Sequence, residues 1–314
     1  MALYGWISLL ILAISELALF KGIDLVEEFF YLFVWWPYIL LLDALIKARK
    51  GTSPITSNPW SFINLCIWSV TFWLIFELIN LRLQNWHYVN ITPLTPIRWL
   101  GYTLSFATVL PGIFFTSILV RDSLFRGRCL GESGELHSGT VPMFPLWIGL
   151  GTVSILLPMA WPRYFFPLVW GFTFFILDPL NGRLGAKSLI LDYMSGRKAN
   201  LFSLLLGGLV CGFLWEFWNF WAGAKWIYTI PFVGRWKVFE MPVLGFLGFP
   251  PFALECFSMY VFVSRVGLGG AGDPLRPDWA PYRGRILVPL LIALPIWFIS
   301  FWLIDRCTVI SFAH

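Results

Sequence analysis

Apolar runs of about 20 residues, separated by short polar loops, recur along the whole chain. That length is what an α-helix needs to cross the hydrocarbon core of a bilayer. Nine such segments stand out, at 3–20, 29–46, 62–81, 99–120, 145–161, 164–180, 201–221, 243–263 and 287–304. The pattern predicts an all-α, polytopic transmembrane helix bundle of about nine spans. The longest clearly polar stretch, 121–140, is rich in Gly and Ser and suits a hinge between two halves.

Landmarks recur in the same order in those halves. Tryptophan precedes aspartate by eight residues at Trp35 and Asp43 and again at Trp170 and Asp178. An aromatic-Glu-x-x-Asn motif appears as Phe76-Glu77-Leu78-Ile79-Asn80 and as Trp215-Glu216-Phe217-Trp218-Asn219. A Trp-x-Tyr turn follows each one, Trp86 to Tyr88 and Trp226 to Tyr228, with proline a few residues on at Pro93 and Pro231. Pro111 follows Glu77 by 34 residues and Pro250 follows Glu216 by 34. The expected organisation is a first four-helix repeat at 1–125, a connecting loop at 126–144 and a second four-helix repeat at 145–265. A loop and final transmembrane helix occupy 266–314. Repeats of four spans point the same way, so the duplication is parallel, with a pseudo-twofold axis along the membrane normal.

Composition agrees with the pattern. The chain is 58% hydrophobic and 12% charged, against about 25% charged in soluble domains. Of the 22 Lys and Arg, 14 fall on loops two, four, six and eight. The positive-inside rule then places the N-terminus in the cytoplasm, with a bacterial inner membrane as the expected setting. The seventh loop, with Lys225, Arg235 and Lys237, runs against that bias. A net charge of +5 suits loops facing anionic lipid. No basic patch interleaved with aromatics suggests a nucleic-acid partner. The five cysteines, Cys66, Cys129, Cys211, Cys256 and Cys307, are scattered without CxxC spacing. His87, His137 and His314 lie outside the spans, which argues against histidine-ligated cofactors in the bilayer. No Gly-rich phosphate loop or ligand-spaced acidic cluster calls for a nucleotide or a metal, so no cofactor is expected.

The candidate chemistry sits where polar groups interrupt apolar spans. An ionisable group at membrane depth costs roughly 2.5 kcal/mol or more, and normally faces protein or water. Glu77 with Asn80, and Glu216 with Asn219, each share one helix face. The third and seventh spans are expected to meet near the axis and gather these four residues, with Glu16 at a similar depth. Two carboxylates close together in low dielectric cannot both ionise, so one is expected to hold a proton. Glu255 follows Pro250-Pro251 and is a third acid. Asp43 and Asp178, near the inner ends of their spans, suit capping of the next segment or pairing with Lys47 or Arg183. Gly208, Cys211, Gly212, Trp215, Glu216 and Asn219 form one stripe, and Gly208-x-x-x-Gly212 allows close helix approach. Trp215, Trp218, Trp226 and Tyr228 around Glu216, with Trp73 and Trp86 near Glu77, form aromatic walls. Such walls suit a cationic transition state or a flat hydrophobic ligand such as a carotenoid or quinone.

These residues carry a resemblance. Trp215-Glu216, Trp226-x-Tyr228, Leu244-Gly245, Leu247-Gly248, Pro251 and Glu255 resemble the membrane lycopene-cyclase domain of carotenoid biosynthesis, itself duplicated. Glu77, Trp86, Tyr88, Leu100-Gly101 and Pro111 echo it in the first half. The family's paired Glu-Glu after proline is a single Glu255 here. The chain also looks like uncharacterised bacterial integral membrane proteins. The resemblance implies acid–base chemistry on an isoprenoid or carotenoid-like lipid, with Glu255 and Glu216 as carried-over acids. On the residues themselves, Glu216, Glu255 and Glu77 are the expected acids and Asn80 and Asn219 orient them. Trp215, Trp218, Trp226, Tyr228 and Trp86 would line the substrate pocket. Two other readings stay open: a proton-coupled transporter, and a non-catalytic membrane subunit holding pigment, quinone or a partner membrane protein.

Overall fold

A computed structural model describes residues 1–125, 141–234, 236–270, 272–279 and 286–313. Most of the connecting loop at 126–144, with Cys129 and His137, lies outside the described residues, as do Arg235 and His314. The chain is mostly helical. In order it forms α1 (Leu3–Phe20), α2 (Asp24–Lys50), the short α3 (Pro54–Ser57), α4 (Pro59–Leu83), strand β1 (Trp86–Val89), α5 (Thr95–Phe106) and α6 (Val109–Leu124). Next come α7 (Phe144–Ala160), the one-turn α8 (Pro162–Phe165), a 3-10 turn (Phe166–Val169), α9 (Phe172–Arg183), α10 (Leu189–Met194) and α11 (Ala199–Trp221). Strands β2 (Lys225–Tyr228), β3 (Lys237–Val238) and β4 (Met241–Pro242), a second 3-10 turn (Val243–Gly248), α12 (Phe249–Arg265) and α13 (Leu287–Cys307) complete it.

Among the described residues, seven helical segments are long and apolar enough to cross a membrane, and the protein is an integral membrane protein. The fifth and sixth apolar runs give shorter helices. Pro162 and Pro167 lack the amide hydrogens a helix interior needs, so the chain from 162 to 169 makes two separate turns and α9 begins only at Phe172. Prolines act at starts elsewhere too. Pro59 opens α4 beneath an Asn58 cap whose Oδ1 accepts from the Ser61 amide at 3.1 Å. Pro250 and Pro251 likewise sit in the first turn of α12. The fourth span breaks just ahead of Pro111. Ser69 of α4 bridges that break, donating to the Phe106 carbonyl at 2.6 Å and accepting from the Leu110 amide at 3.0 Å.

α1 packs on α2 and α7 on α9, while α12 lies against α9 and α11. The third and seventh spans, α4 and α11, do not meet as the central helix pair that the sequence suggests. α11 packs instead on α6 and α12, and α4 on α13 and α6. The glycine stripe explains α11's choice. A Cβ on Gly207 would stand 2.2 Å from Ser117 Oγ of α6, and one on Gly208 would stand 2.7 Å from the Phe249 carbonyl of α12. Gly208→Ala is therefore expected to destabilise the fold by about 1–3 kcal/mol, read as a lower melting temperature in detergent; an unchanged melt would remove this packing argument.

α4 and α11 are joined through the strands that follow them. β1 and β2 pair antiparallel, with Trp86 opposite Tyr228, His87 opposite Ile227 and Tyr88 opposite Trp226. The two Trp-x-Tyr motifs thus lie face to face, each tryptophan against the other's tyrosine. On the free side of β1 runs the chain after α13, in parallel. The Tyr88 amide donates to the Thr308 carbonyl at 3.0 Å, and the Ile310 amide donates to the Tyr88 carbonyl at 2.8 Å. α13 is itself tied to α5. Asp305 accepts from Arg98 Nε at 2.8 Å and Nη2 at 2.7 Å, from Trp99 Nε1 at 2.9 Å and from the Tyr102 hydroxyl at 3.0 Å.

Candidate active site

The strand pair carries both tyrosines back to the carboxylates on the helices. Tyr228 donates to Glu216 Oε1 at 2.7 Å and Tyr88 donates to Glu77 Oε1 at 2.6 Å. Both glutamates are fully buried. Burial, with the neighbouring carboxylate, pushes each phenol above its ordinary range, so both tyrosines stay protonated and keep donating. The two acids are not the shared pair the sequence suggests: each has its own tyrosine and no hydrogen-bond partner in common. In both, the second oxygen, Oε2, is buried without a hydrogen-bond partner. Since Oε1 is taken up as an acceptor, a proton carried by either acid belongs on Oε2.

The acids differ in how they are enclosed. Glu77 Oε1 accepts from three donors, adding Trp73 Nε1 at 2.9 Å and Trp86 Nε1 at 3.1 Å to Tyr88. Trp73 lies one turn before Glu77. One turn before Glu216 stands Gly212, whose vacant side-chain position the Phe249 ring fills. Trp226 Nε1 donates to the Tyr228 oxygen at 2.9 Å and so supports the phenol. Glu216 is therefore the less encumbered acid, and it lines a cavity of about 470 Å³.

Both strands contribute to that cavity, with Trp73, Trp86, Trp170, Trp215 and Trp226 in its walls. Trp170 stacks on Phe76 at 5.5 Å and on Trp86 at 6.3 Å, and Tyr31 meets Trp226 edge-on at 5.7 Å. Among the residues expected to line a pocket, Trp215, Trp226, Tyr228 and Trp86 do so. Trp218 does not. Its Nε1 donates to Glu16 at 3.0 Å and its ring packs edge-on against Trp35. Glu77 does not line the cavity, although Trp73, Trp86 and Tyr88, which donate to it, do.

The amides have another task than the one expected. Asn80 and Asn219 hold the strands, not the acids: Nδ2 donates to the Trp86 carbonyl at 2.9 Å and to the Trp226 carbonyl at 2.8 Å respectively. The matching Oδ1 atoms accept from the Asn85 amide at 2.8 Å and the Trp226 amide at 2.9 Å. Glu255 also stands apart from the cavity. Its Oε1 accepts from the amide and hydroxyl of Thr173, both at 3.0 Å, which anchors the start of α9 on α12. Asp43 and Asp178 clamp the segments after their helices. Asp43 accepts from Ser53 at 2.8 Å and the Ile55 amide at 2.9 Å; Asp178 accepts from Ser188 at 2.6 Å and the Leu189 amide at 2.8 Å. Arg183 leaves Asp178 alone and lies over the Phe144 ring. Tyr88, Trp170 and Tyr31 are site residues that the sequence reading left out of the set. Tyr88's place after an aromatic-Glu-x-x-Asn motif was the available signal.

Comparison with protein-family models, with curated proteins and with solved structures finds no match to this chain. Among the described residues, no group of three or more His, Cys, Asp or Glu is placed to hold a metal ion.

Proposed function

We propose that the protein is an intramembrane enzyme that does acid–base chemistry on an isoprenoid- or carotenoid-like lipid held in the aromatic cavity. The observation that carries this reading is Glu216: a fully buried acid in the cavity wall, oriented by Tyr228, with one oxygen unpaired. An acid so placed can protonate a carbon–carbon double bond, and the surrounding indole faces stabilise the cation that results. Glu77, capped by three donors, is the structural counterpart; Tyr228 and Trp226 position the working acid. The resemblance to the membrane lycopene-cyclase domain points to the same substrate class through Glu216, whereas Glu255 serves as an anchor for α9.

The same reading takes the chain as two tandem units, 1–125 and 145–265, followed by a last helix, with α7 and α9 crossing as a shortened pair to give nine spans. Three recurrences support it: Asp–Ser clamps ten residues apart, Asn-held strands and Glu–Tyr pairs. The Lys and Arg bias supports a cytoplasmic N-terminus, which puts the strands and the cavity toward the outer face.

Purified protein extracted with organic solvent is expected to release a lipid-soluble polyene or isoprenoid, identified by absorption spectrum and mass. The extract from wild type should contain a product that the Glu216→Gln extract lacks. The same bound molecule in both would favour a non-catalytic pigment- or quinone-holding subunit. Only bulk membrane phospholipid in both would count against any lipid-specific site.

A further inference from the structure

We infer that the cavity is loaded sideways from the bilayer, through a gap between the two 3-10 turns, by an uncharged lipid that carries no phosphate. This rests on the cavity being a lipid site and adds the route of entry and the kind of head the ligand can carry. Leu244 and Leu247 line the cavity, yet they are 61% and 69% exposed. They belong to Val243–Arg265, a segment apolar enough to span the membrane. A leucine exposed at that depth faces hydrocarbon, so the same two side chains touch lipid on one side and the cavity on the other. Pro167, on the facing turn, is exposed and lines the cavity as well.

The floor of the gap is kept open by small residues. Gly245 and Gly248 both line the cavity, and a Cβ on Gly248 would stand 3.2 Å from the Trp170 ring. Any side chain there would press on the indole that leads inward to Trp86. An apolar chain entering over these glycines slides along ring faces and aliphatic carbon, with no charge to cross.

The head group is limited by the charges already spoken for. Two cations line the cavity, Arg98 and Lys225. Arg98 is paired with Asp305 at 2.7 Å and Lys225 with Glu240 at 3.2 Å. Glu28 and Glu216 add acidic groups to the same wall. A phosphate or diphosphate needs several free donors or a helix N-terminus. The helix start nearest the gap, that of α12, has prolines at 250 and 251 in place of two of its amide donors. The site therefore suits a hydrocarbon or a neutral alcohol or ketone, and rejects prenyl diphosphates and phospholipid heads.

A nitroxide attached at Leu247→Cys, in a chain carrying Cys66→Ser, Cys129→Ser and Cys307→Ser and reconstituted into phosphatidylcholine vesicles, tests the route. Expected is fast collision with dissolved oxygen and protection from a water-soluble nickel chelate, matching a nitroxide at Leu291 on α13, which is 62% exposed. Chelate access equal to that of a water-exposed label would overturn the lateral route. Energy transfer from tryptophan to retinol, a neutral isoprenoid alcohol, tests the head. Wild type should show saturable transfer that geranylgeranyl diphosphate does not displace, and in the Leu244→Trp, Leu247→Trp double variant the transfer should build up at least tenfold more slowly after mixing with retinol. Displacement by the diphosphate at equal concentration would overturn the choice of head, and an unchanged rate of retinol loading in the plugged variant would overturn the gap. No saturable transfer, with Leu247 still in lipid, would strike instead at the underlying reading of the cavity as a lipid site.

Discussion

Glu216→Gln is expected to lower turnover of the bound lipid by at least about 100-fold, the scale of contribution a positioned general acid makes. The substitution is nearly isosteric. The Gln amide oxygen can still accept from Tyr228, and the amide nitrogen takes the place of Oε2 without a transferable proton. Fold and insertion should survive, checked by a monodisperse gel-filtration profile and a melt near that of wild type. Product formed per enzyme, measured by mass spectrometry, is the deciding quantity. Glu77→Gln supplies the contrast. Three donors already converge on one oxygen of Glu77, so its loss should weaken packing around β1 more than it slows the reaction. A Glu216→Gln enzyme working at the wild-type rate would take Glu216 out of the mechanism.

Arg98→Met should produce the largest loss of stability. The pair is partly buried, Arg98 at 6% and Asp305 at 14% exposure, so stranding the carboxylate is expected to cost about 2–3 kcal/mol, below the roughly 3–5 kcal/mol of a fully buried pair. Asp305 would keep its bonds from Trp99 and Tyr102 but lose both guanidinium contacts. Arg98 also donates to the Thr92 and Pro93 carbonyls, both at 2.9 Å, so the loop between β1 and α5 would lose its fastening too. The expected result is a markedly lower melting temperature in detergent, with faster amide exchange at Tyr88 and Ile310, whose backbones depend on the segment after α13. The double variant Arg98→Met, Asp305→Leu should recover part of the loss, since it removes the stranded charge. A single variant that melts with wild type would show that the pair contributes nothing.

How much of this was legible in the sequence varied with the range of the interaction. The helices follow from apolar runs, and the acids stood out because a carboxylate inside such a run is costly. Spacing alone could bring Asn80 toward Trp86 and Asn219 toward Trp226, since six or seven residues separate each pair. The same spacing could not say whether an amide serves the acid one turn away or the backbone that follows, and the backbone, with its unpaired donors and acceptors at a helix end, won. Glu255 misled for a related reason. A carboxylate just after two prolines reads as a reactive group, but its partner, Thr173, lies 82 residues away in sequence and has no local signature. The late start of α9 at Phe172 is hard to see in the sequence because Pro162 and Pro167 sit in an apolar stretch whose hydropathy hides the interruption. The pairing of β1 with β2 is a contact between segments 140 residues apart, and nothing local announces that two short turns will become one sheet.

That sheet has a consequence for tolerated change. Side chains alternate faces along a strand, so slipping one partner by a single residue turns its whole set over. Tyr88 and Tyr228 sit on the same two-stranded ribbon, each opposite the other's companion tryptophan. An inserted or deleted residue in either strand would swing a phenol away from its acid and drag the opposing indole out of line as well. Length variation in 85–89 and 225–228 should accordingly be lethal to both carboxylate sites together.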